Sequence, residues 1–326
     1  MNSTTLASVS VDLDNVWSYL KTHGDPEWEA RPSYLHVAVP RIVELFGELN
    51  QSTTVFVIGA DAARDDGAEA VSSFARCGHE VGNHSYEHEP WLQRYDAQRL
   101  AAEVDRTHEA IVAAGAPAPV GFRAPGYSHT PELFRLLIER GYQYDASVLP
   151  TWIGPLARYQ HFRSTELSDE QREDRADLFG GFGQARWSLH PQRLRAAGGQ
   201  IVELPVTTLP VARVPMHGSY LIQLYSISPR LARGYFRAAV RLCRARGVGM
   251  SMLIHPTDIL DRRDAPAMEF FPGMGVAASD KVAFITWVVQ TMQANFDVVG
   301  TGDHVAAMSA PGVSLASAEI GRACVE

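Results

Sequence analysis

Two pairs of residues carry the first chemical signal. Asp12 and Asp14 stand two apart in "SVSVDLDNVW", and His84 and His88 stand four apart in "NHSYEHEPW". In an extended strand, residues i and i+2 point to one face, so "LASVSVD" (6–12) aims both carboxylates the same way at its C-terminal end. Two carboxylates that close repel, and one keeps a proton unless a cation lies between them. The histidines also follow a β-rich run, and one helical turn would face both imidazoles in one direction. One Asp and two His form a facial set for a divalent ion, with positions left open for water and substrate. Each half is ambiguous alone, because D-x-D is more often a turn or cap and H-x-x-x-H is more often a pair of solvated histidines. Their conjunction points to a metal.

Such residues need a scaffold that gathers strand ends. Short β-rich runs recur at 6–12, 53–59, 79–84, 119–125, 142–148, 200–206, 249–255 and 296–301. Helical patterns lie between them, at 39–50, 96–115, 130–141 and from Ser279 onward. Asp96 and Thr130 are placed as N-caps, Pro131 at a first helical position, and Gly115 and Gly141 as stops. Strands alternating with helices over about eight units predict an α/β fold whose parallel sheet closes as a barrel of seven or eight strands. Active-site groups collect at the C-terminal ends of barrel strands, where both pairs fall. Three further polar segments fall at strand ends: "FRAPGY" (122–127), "YDAS" (144–147) and "LIHP" (253–256). No repeat or linker divides the chain, so residues 1–326 read as one domain with an irregular, charged insertion at about 150–200. That insertion is either a solvated cover or a substrate lid.

Composition narrows the function. A formal charge of −8 gives nucleic acid no electrostatic footprint. Cys77, Cys243 and Cys324 lie far apart and form no C-x-x-C pair, so neither a disulfide framework nor a thiolate zinc site is expected. The opening "MNSTTLASVSVDLDNVW" has no basic region followed by an apolar stretch, and no run is apolar enough to span a bilayer. A cytoplasmic location is the resulting expectation.

The ordered segments resemble the polysaccharide deacetylase family, the NodB-homology enzymes of carbohydrate esterase family 4. Five motifs of that family have counterparts here, in order, between residues 12 and 255. The resemblance implies a distorted NodB-type barrel. It implies Asp12 as catalytic base and Asp14, His84 and His88 as metal ligands, with "HSYEH" matching the second motif fully. It gives Arg123 and Pro125 in "RAPGY", Asp145 in the fourth motif, and Leu253 and His255 in the fifth. Two departures stand out. Leu13 separates the aspartates that are adjacent in many members, as in a D-x-D branch that includes related amide hydrolases. Gly126 fills the usual aromatic position and Tyr127 follows, which leaves open whether a backbone N–H near Gly126 or Tyr127 serves the oxyanion and whether Tyr127 lines the sugar pocket.

The implied mechanism uses one divalent metal, zinc first, with cobalt, nickel or manganese as substitutes. Asp12 takes a proton from the attacking water, and His255 protonates the leaving amine. Arg123 would orient Asp12, and Asp145 would support a charged His255; a structural ion pair is the plainer reading of Arg123 and Asp145. The expected substrate is an N-acyl amino sugar, small or lipid-linked. A non-sugar linear or cyclic amide, as in allantoinase-like relatives, is the alternative, and a non-catalytic sugar-binding relative a third. Arg230, Arg233, Arg237, Arg241 and Arg244 recur at helical spacing, with Leu231, Tyr235, Val240 and Leu242 as an apolar side. This stripe is either the wet face of a barrel helix or a surface for an anionic membrane.

Overall fold

The alternation of β1 (Leu6–Leu13) sets the frame. Ala7, Val9, Val11 and Leu13 pack into the largest apolar cluster, between sheet and helices. Alternation therefore turns Ser8, Ser10 and Asp12 to the opposite, inner face, where they are buried too. A strand buried on both faces is what a parallel sheet under helices requires. The same parity recurs in β2 (Thr54–Val57), whose Val55 and Val57 join the outer cluster while Phe56 faces inward with Tyr144. It recurs in β3 (Glu80–Asn83), with Val81 outward. Inside, Gly82 lies against the Phe56 ring so closely that no Cβ would fit.

The computed structural model describes residues 5–165, 167–310 and 312–321, and leaves the side chains of 160, 161, 163 and 164 aside. Cys324 and the ring of His161, expected to be solvated, lie outside the described residues. The remaining strands are β4 (Gly121–Phe122), β5 (Tyr144–Asp145), β6 (Gln192–Ala196), β7 (Gly199–Glu203), β8 (Ser251–Ile254), β9 (Asp297–Val299) and β10 (Ala316–Glu319). They form a sheet in the order β10-β6-β7-β5-β4-β3-β2-β1-β8, with β9 beside the start of β1. Every pairing is parallel except the β6–β7 hairpin.

The two ends of the path β8-β1-β2-β3-β4-β5-β7 approach each other without a strand ladder. Thr207, just past β7, bridges them: its N–H donates to Ser251 O at 3.0 Å and its Oγ1 accepts the Ser251 N–H at 2.7 Å. Seven strands thus curl into a distorted barrel joined at one point, in keeping with the expected fold class. The hairpin partner β6 and the edge strand β10 were not expected. β6, "QRLRA", buries only Leu194 fully and lacks the apolar alternation that marks a strand.

Helices α1 (Val16–His23), α2 (Leu35–Glu48), α3 (Gly59–Ala62), α4 (Asp65–Arg76), α5 (Ala97–Ala113) and α6 (Pro131–Glu139) follow or join the first strands. The expected caps are made: Asp96 accepts the Arg99 N–H at 2.7 Å, and Thr130 the Leu133 N–H at 3.1 Å. The insertion after 150 holds α7 (Gly154–Ser164) and α8 (Asp169–Asp174). It leans on α1, whose last carbonyls at Lys21 and Thr22 accept from Arg175 at 2.8 and 2.9 Å.

The second half carries α9 (Gly218–Ile227), α10 (Pro229–Ala245), α11 (Ala278–Gln293) and α12 (Thr301–Met308). α10 holds the arginine stripe, and all five expected arginines are exposed. Its buried face is Ala232, Phe236, Ala239, Val240 and Cys243, so the apolar side read from the sequence is shifted; Leu231 is half exposed. The buried face packs toward α9 and α11, whereas Arg233 and Arg237 lie over the Trp287 ring at 5.3 and 5.2 Å. No described helix is long and apolar enough to cross a membrane.

Candidate active site

The end of β1 is held rigidly. Asn15 caps α1 by accepting the Val16 N–H at 2.9 Å, and its amide donates to Asp61 at 3.2 Å. Tyr34 Oη donates to the Asp14 carbonyl at 2.7 Å. Asp14 is thereby fixed beside two imidazoles: its Oδ1 lies 3.2 Å from His84 Nε2 and 2.9 Å from His88 Nε2. His84 Nδ1 meets the Arg123 carbonyl at 2.6 Å, an acceptor, so Nδ1 carries the hydrogen and the Nε2 lone pair faces Asp14.

The expected helical turn between the histidines is not there. Residues 84–88 form an irregular loop with left-handed backbone at Ser85 (φ 61°) and His88 (φ 50°). Buried acceptors hold that path: Asn83 Oδ1 takes the Ser85 N–H, and Glu103 Oε2 takes the N–H groups of Tyr86 and Glu87 at 2.7 and 2.9 Å. The loop, not helical periodicity, brings the imidazoles together.

Asp14, His84 and His88 are all buried, and their nearest donor atoms lie within 4.8 Å of one another. Asp14 Oδ1 has no hydrogen-bond partner despite both nearby nitrogens. Donor atoms that converge without hydrogen-bonding each other fit a cation, and one carboxylate with two imidazoles suits a zinc-like ion. Burial works against ionised Asp14, but the imidazoles, His88 foremost, hold its carboxyl well below the usual carboxylate range.

Asp12 lies one strand-pleat inward. Its Oδ1 accepts from Arg123 Nη1 at 2.7 Å, and its Oδ2 lies 3.8 Å from His84 Nε2. Arg123 is fully buried, donates to Ser10 Oγ at 2.7 Å and Ala146 O at 2.9 Å, and lies over Phe56 at 4.3 Å. An arginine so constrained fixes the position of Asp12. Next in the chain, Pro125–Tyr127 form a short turn with positive φ at Gly126 (59°) and Tyr127 (61°). A Cβ on Gly126 would collide with Pro90, which explains why an aromatic cannot occupy that position. The Tyr127 ring instead packs with Leu149, Val206 and Leu253, an apolar floor beside the polar cluster.

Asp145 has a different place from the one expected. Its oxygens accept the Ser147 Oγ–H at 2.7 Å and the Ser147 N–H at 3.0 Å. Ser147 Oγ in turn accepts the Ala124 N–H at 2.8 Å, so Asp145 anchors the segment carrying Arg123 and Pro125. Glu203 faces Asp145 across the β5–β7 pair, and burial together with that neighbour pushes its carboxyl far up.

The acid beside His255 is Asp258. Its Oδ2 accepts the His255 N–H at 2.8 Å and lies 3.8 Å from His255 Nδ1. Ser219 Oγ lies 3.0 Å from the same Nδ1, and His255 Nε2 reaches to 3.9 Å from Asp14 Oδ2. Burial opposes the imidazolium, yet Asp258 and then Asp14 outweigh it and raise the His255 pKa to about 9. The physical reason for the change of partner is local: Pro256 starts a short turn that folds Asp258 back onto the end of β8. Buried Lys281 ties that turn down through the Thr257 and Leu260 carbonyls at 2.7 and 2.6 Å.

The sequence thus pointed to Asp12, Asp14, His84, His88, Arg123 and His255, and the fold brings them together. It missed Ser10, Ser147, His217, Ser219 and Asp258. Only Asp258 had a readable signal, in "HPTD". Two lesser histidines differ: His190 is exposed as expected, whereas His129 meets the Tyr127 carbonyl at 3.0 Å and stands edge-on to Trp187.

A distorted α/β barrel with buried carboxylates and imidazoles at its strand ends is the class that fold and site define. The polysaccharide deacetylase family model matches residues 29–144, a span that includes both histidines and the Arg123–Tyr127 turn. A peptidoglycan deacetylase of Helicobacter pylori is 28% identical over 151 residues, 44% of this chain and 50% of that protein. The chain therefore matches about half the length of that curated relative. A Mycobacterium smegmatis structure assigned by its description to the polysaccharide deacetylases superposes with a TM-score of 0.64 at 22% identity, over 97% of this chain and 94% of that one. A 4-alpha-glucanotransferase from Thermococcus litoralis shares the fold at a TM-score of 0.54 and 12% identity, over 98% of this chain and 42% of that one. Over residues 29–144 the chain is similar to the polysaccharide deacetylases, and over nearly its whole length it shares the fold of the Mycobacterium smegmatis structure. Asp12, Asp14 and His255 lie outside the matched span, and the fold joins them to it.

Proposed function

We propose that this chain is a metal-dependent hydrolase that removes an N-acyl group, acetyl or formyl, from a small or lipid-linked amino sugar. One observation carries the reading: the Asp14–His84–His88 cluster is flanked by an arginine-held carboxylate on one side and an imidazolium on the other. Held by these three ligands, the ion, zinc first, supplies Lewis acidity for attack of water on the amide carbonyl.

The chain's own groups do the rest. Arg123 engages Asp12 Oδ1 and leaves Oδ2 to take the proton of the attacking water. A backbone N–H at the left-handed Gly126–Tyr127 turn would be the donor to the developing oxyanion. As the C–N bond breaks, His255 gives its Nε2 proton to the leaving nitrogen, and Ser219 and Asp258 hold the ring through Nδ1. The products are a free amine and a carboxylate. Asp145 acts as a positioning residue, through Ser147, on the turn after Arg123.

The test is amine release by zinc-loaded protein from a panel: N-acetylglucosamine oligomers, peptidoglycan fragments, nucleotide-linked N-acetylhexosamines, polyprenyl-linked formamido and acetamido sugars, and cyclic amides. Turnover of an acylamino sugar is the expected result. Turnover of cyclic amides alone would replace this reading with the allantoinase-like one.

A further inference from the structure

His217 is an imidazole near the site that has no role in the chemistry above. It immediately precedes α9, in a segment wrapped around the acid side. Gly218, next in line, lies so close to Asp258 that no Cβ would fit, and Ser219 holds His255. The His217 ring centre lies 6.3 Å from that of His255 and 6.4 Å from that of Tyr127. These separations exceed direct contact, and they place the ring near both the group proposed to protonate the leaving amine and the Gly126–Tyr127 turn. His217 Nδ1 is buried and has no hydrogen-bond partner. A buried polar atom is ordinarily satisfied, so an unpaired one beside an active site calls for a partner.

We infer that His217 is a substrate-binding residue whose imidazole hydrogen-bonds a hydroxyl of the sugar; this rests on the deacylase reading above. The chemistry of the ring selects the partner. Burial, aided by the neighbouring His255 cation, pulls its pKa down to about 4, so the ring stays neutral. A neutral imidazole offers one N–H and one lone pair, which matches a hydroxyl and gives no special attraction to a carboxylate or phosphate. His217 would therefore orient the sugar ring so that its acylamino group meets Asp12 and His255.

The test compares wild type with His217→Phe, which keeps a flat ring, and His217→Gln, which keeps a donor and an acceptor. With an N-acetylglucosamine oligomer, His217→Phe should raise KM about tenfold, with a smaller change in kcat, and His217→Gln should recover most of the loss. Calorimetric titration of the same oligomer into chelator-treated protein should weaken in parallel. Among monodeoxy analogues, one should give the same KM with wild type and His217→Phe, identifying the hydroxyl. An unchanged KM and binding constant in His217→Phe would overturn the inference alone. So would equal sensitivity of every deoxy analogue, which is the mark of a structural residue. Wild-type protein that releases no amine from any acylamino sugar overturns the deacylase reading, and this inference with it.

Discussion

On one side of the site, Asp12, Asp14, His84 and Arg123 come from the ends of β1, β3 and β4, strands of one parallel stretch of the sheet. On the other, His255 depends on Ser219 at the start of α9, Asp258 in a turn, and Lys281 in α11 beneath that turn. The strand side is set by sheet register: Asp12 pairs with Phe56, and Asn83, just before His84, pairs with Phe122, just before Arg123. The loop side is set by side-chain hydrogen bonds between segments far apart in sequence. A strand-built half can be disturbed only by changing its chemical groups, whereas a loop-built half can be detuned by changing its supports.

The largest expected effect breaks the strand side. Asp12→Asn cannot accept the water's proton and should lower kcat by about 10²- to 10⁴-fold while the metal content stays that of wild type, checked by elemental analysis and amine release. Near wild-type turnover would remove Asp12 as the base.

On the loop side the expected effect is a shift in pH rather than a loss. His255 must carry a proton to act as the acid, and its pKa is raised to about 9, so activity should fall as pH rises through that value. Asp258→Asn removes the acceptor chiefly responsible, so the alkaline limb of kcat/KM should move to lower pH. Asp145→Asn should leave that limb in place, because Asp145 touches Ser147 rather than His255. A limb moved by Asp145→Asn and untouched by Asp258→Asn would reverse the assignment.

A smaller change weakens a support of the Arg123 segment. Ser147→Ala leaves the Ala124 N–H without its acceptor and should destabilise the fold by about 1–3 kcal/mol, read as a lower Cm in urea. The smallest effect concerns α10, away from both. Arg230 and Arg241 are exposed, and reversing both charges should reduce salt-sensitive sedimentation with anionic vesicles, each arginine contributing up to about 1 kcal/mol. No sedimentation of wild type at low salt would leave α10 as the wet face of a barrel helix.

The same contrast explains what the sequence made legible. Strand parity exposed Asp12, because residues two apart in an extended run, Asp12 and Asp14, point to one face. The H-x-x-x-H spacing exposed the two histidines even though a loop, not a helix, unites them. Asp145 was legible as a residue and misplaced as a partner, since Ser147 two residues on is the nearer donor. His217 and Ser219 gave no signal: a lone imidazole and a serine before an apolar helix look like an ordinary helix start. Barrel closure through Thr207 was equally hidden, because one threonine past a strand end carries no periodicity.

The central claim is that Asp14, His84 and His88 hold one catalytic divalent ion. Its most direct test is zinc titration of chelator-treated protein, following bound metal and amine release together. The account predicts about one tight equivalent per chain, activity rising in step with occupancy, and loss of both in His84→Ala. Full zinc binding by His84→Ala, or amine release that persists at zero occupancy, would contradict it.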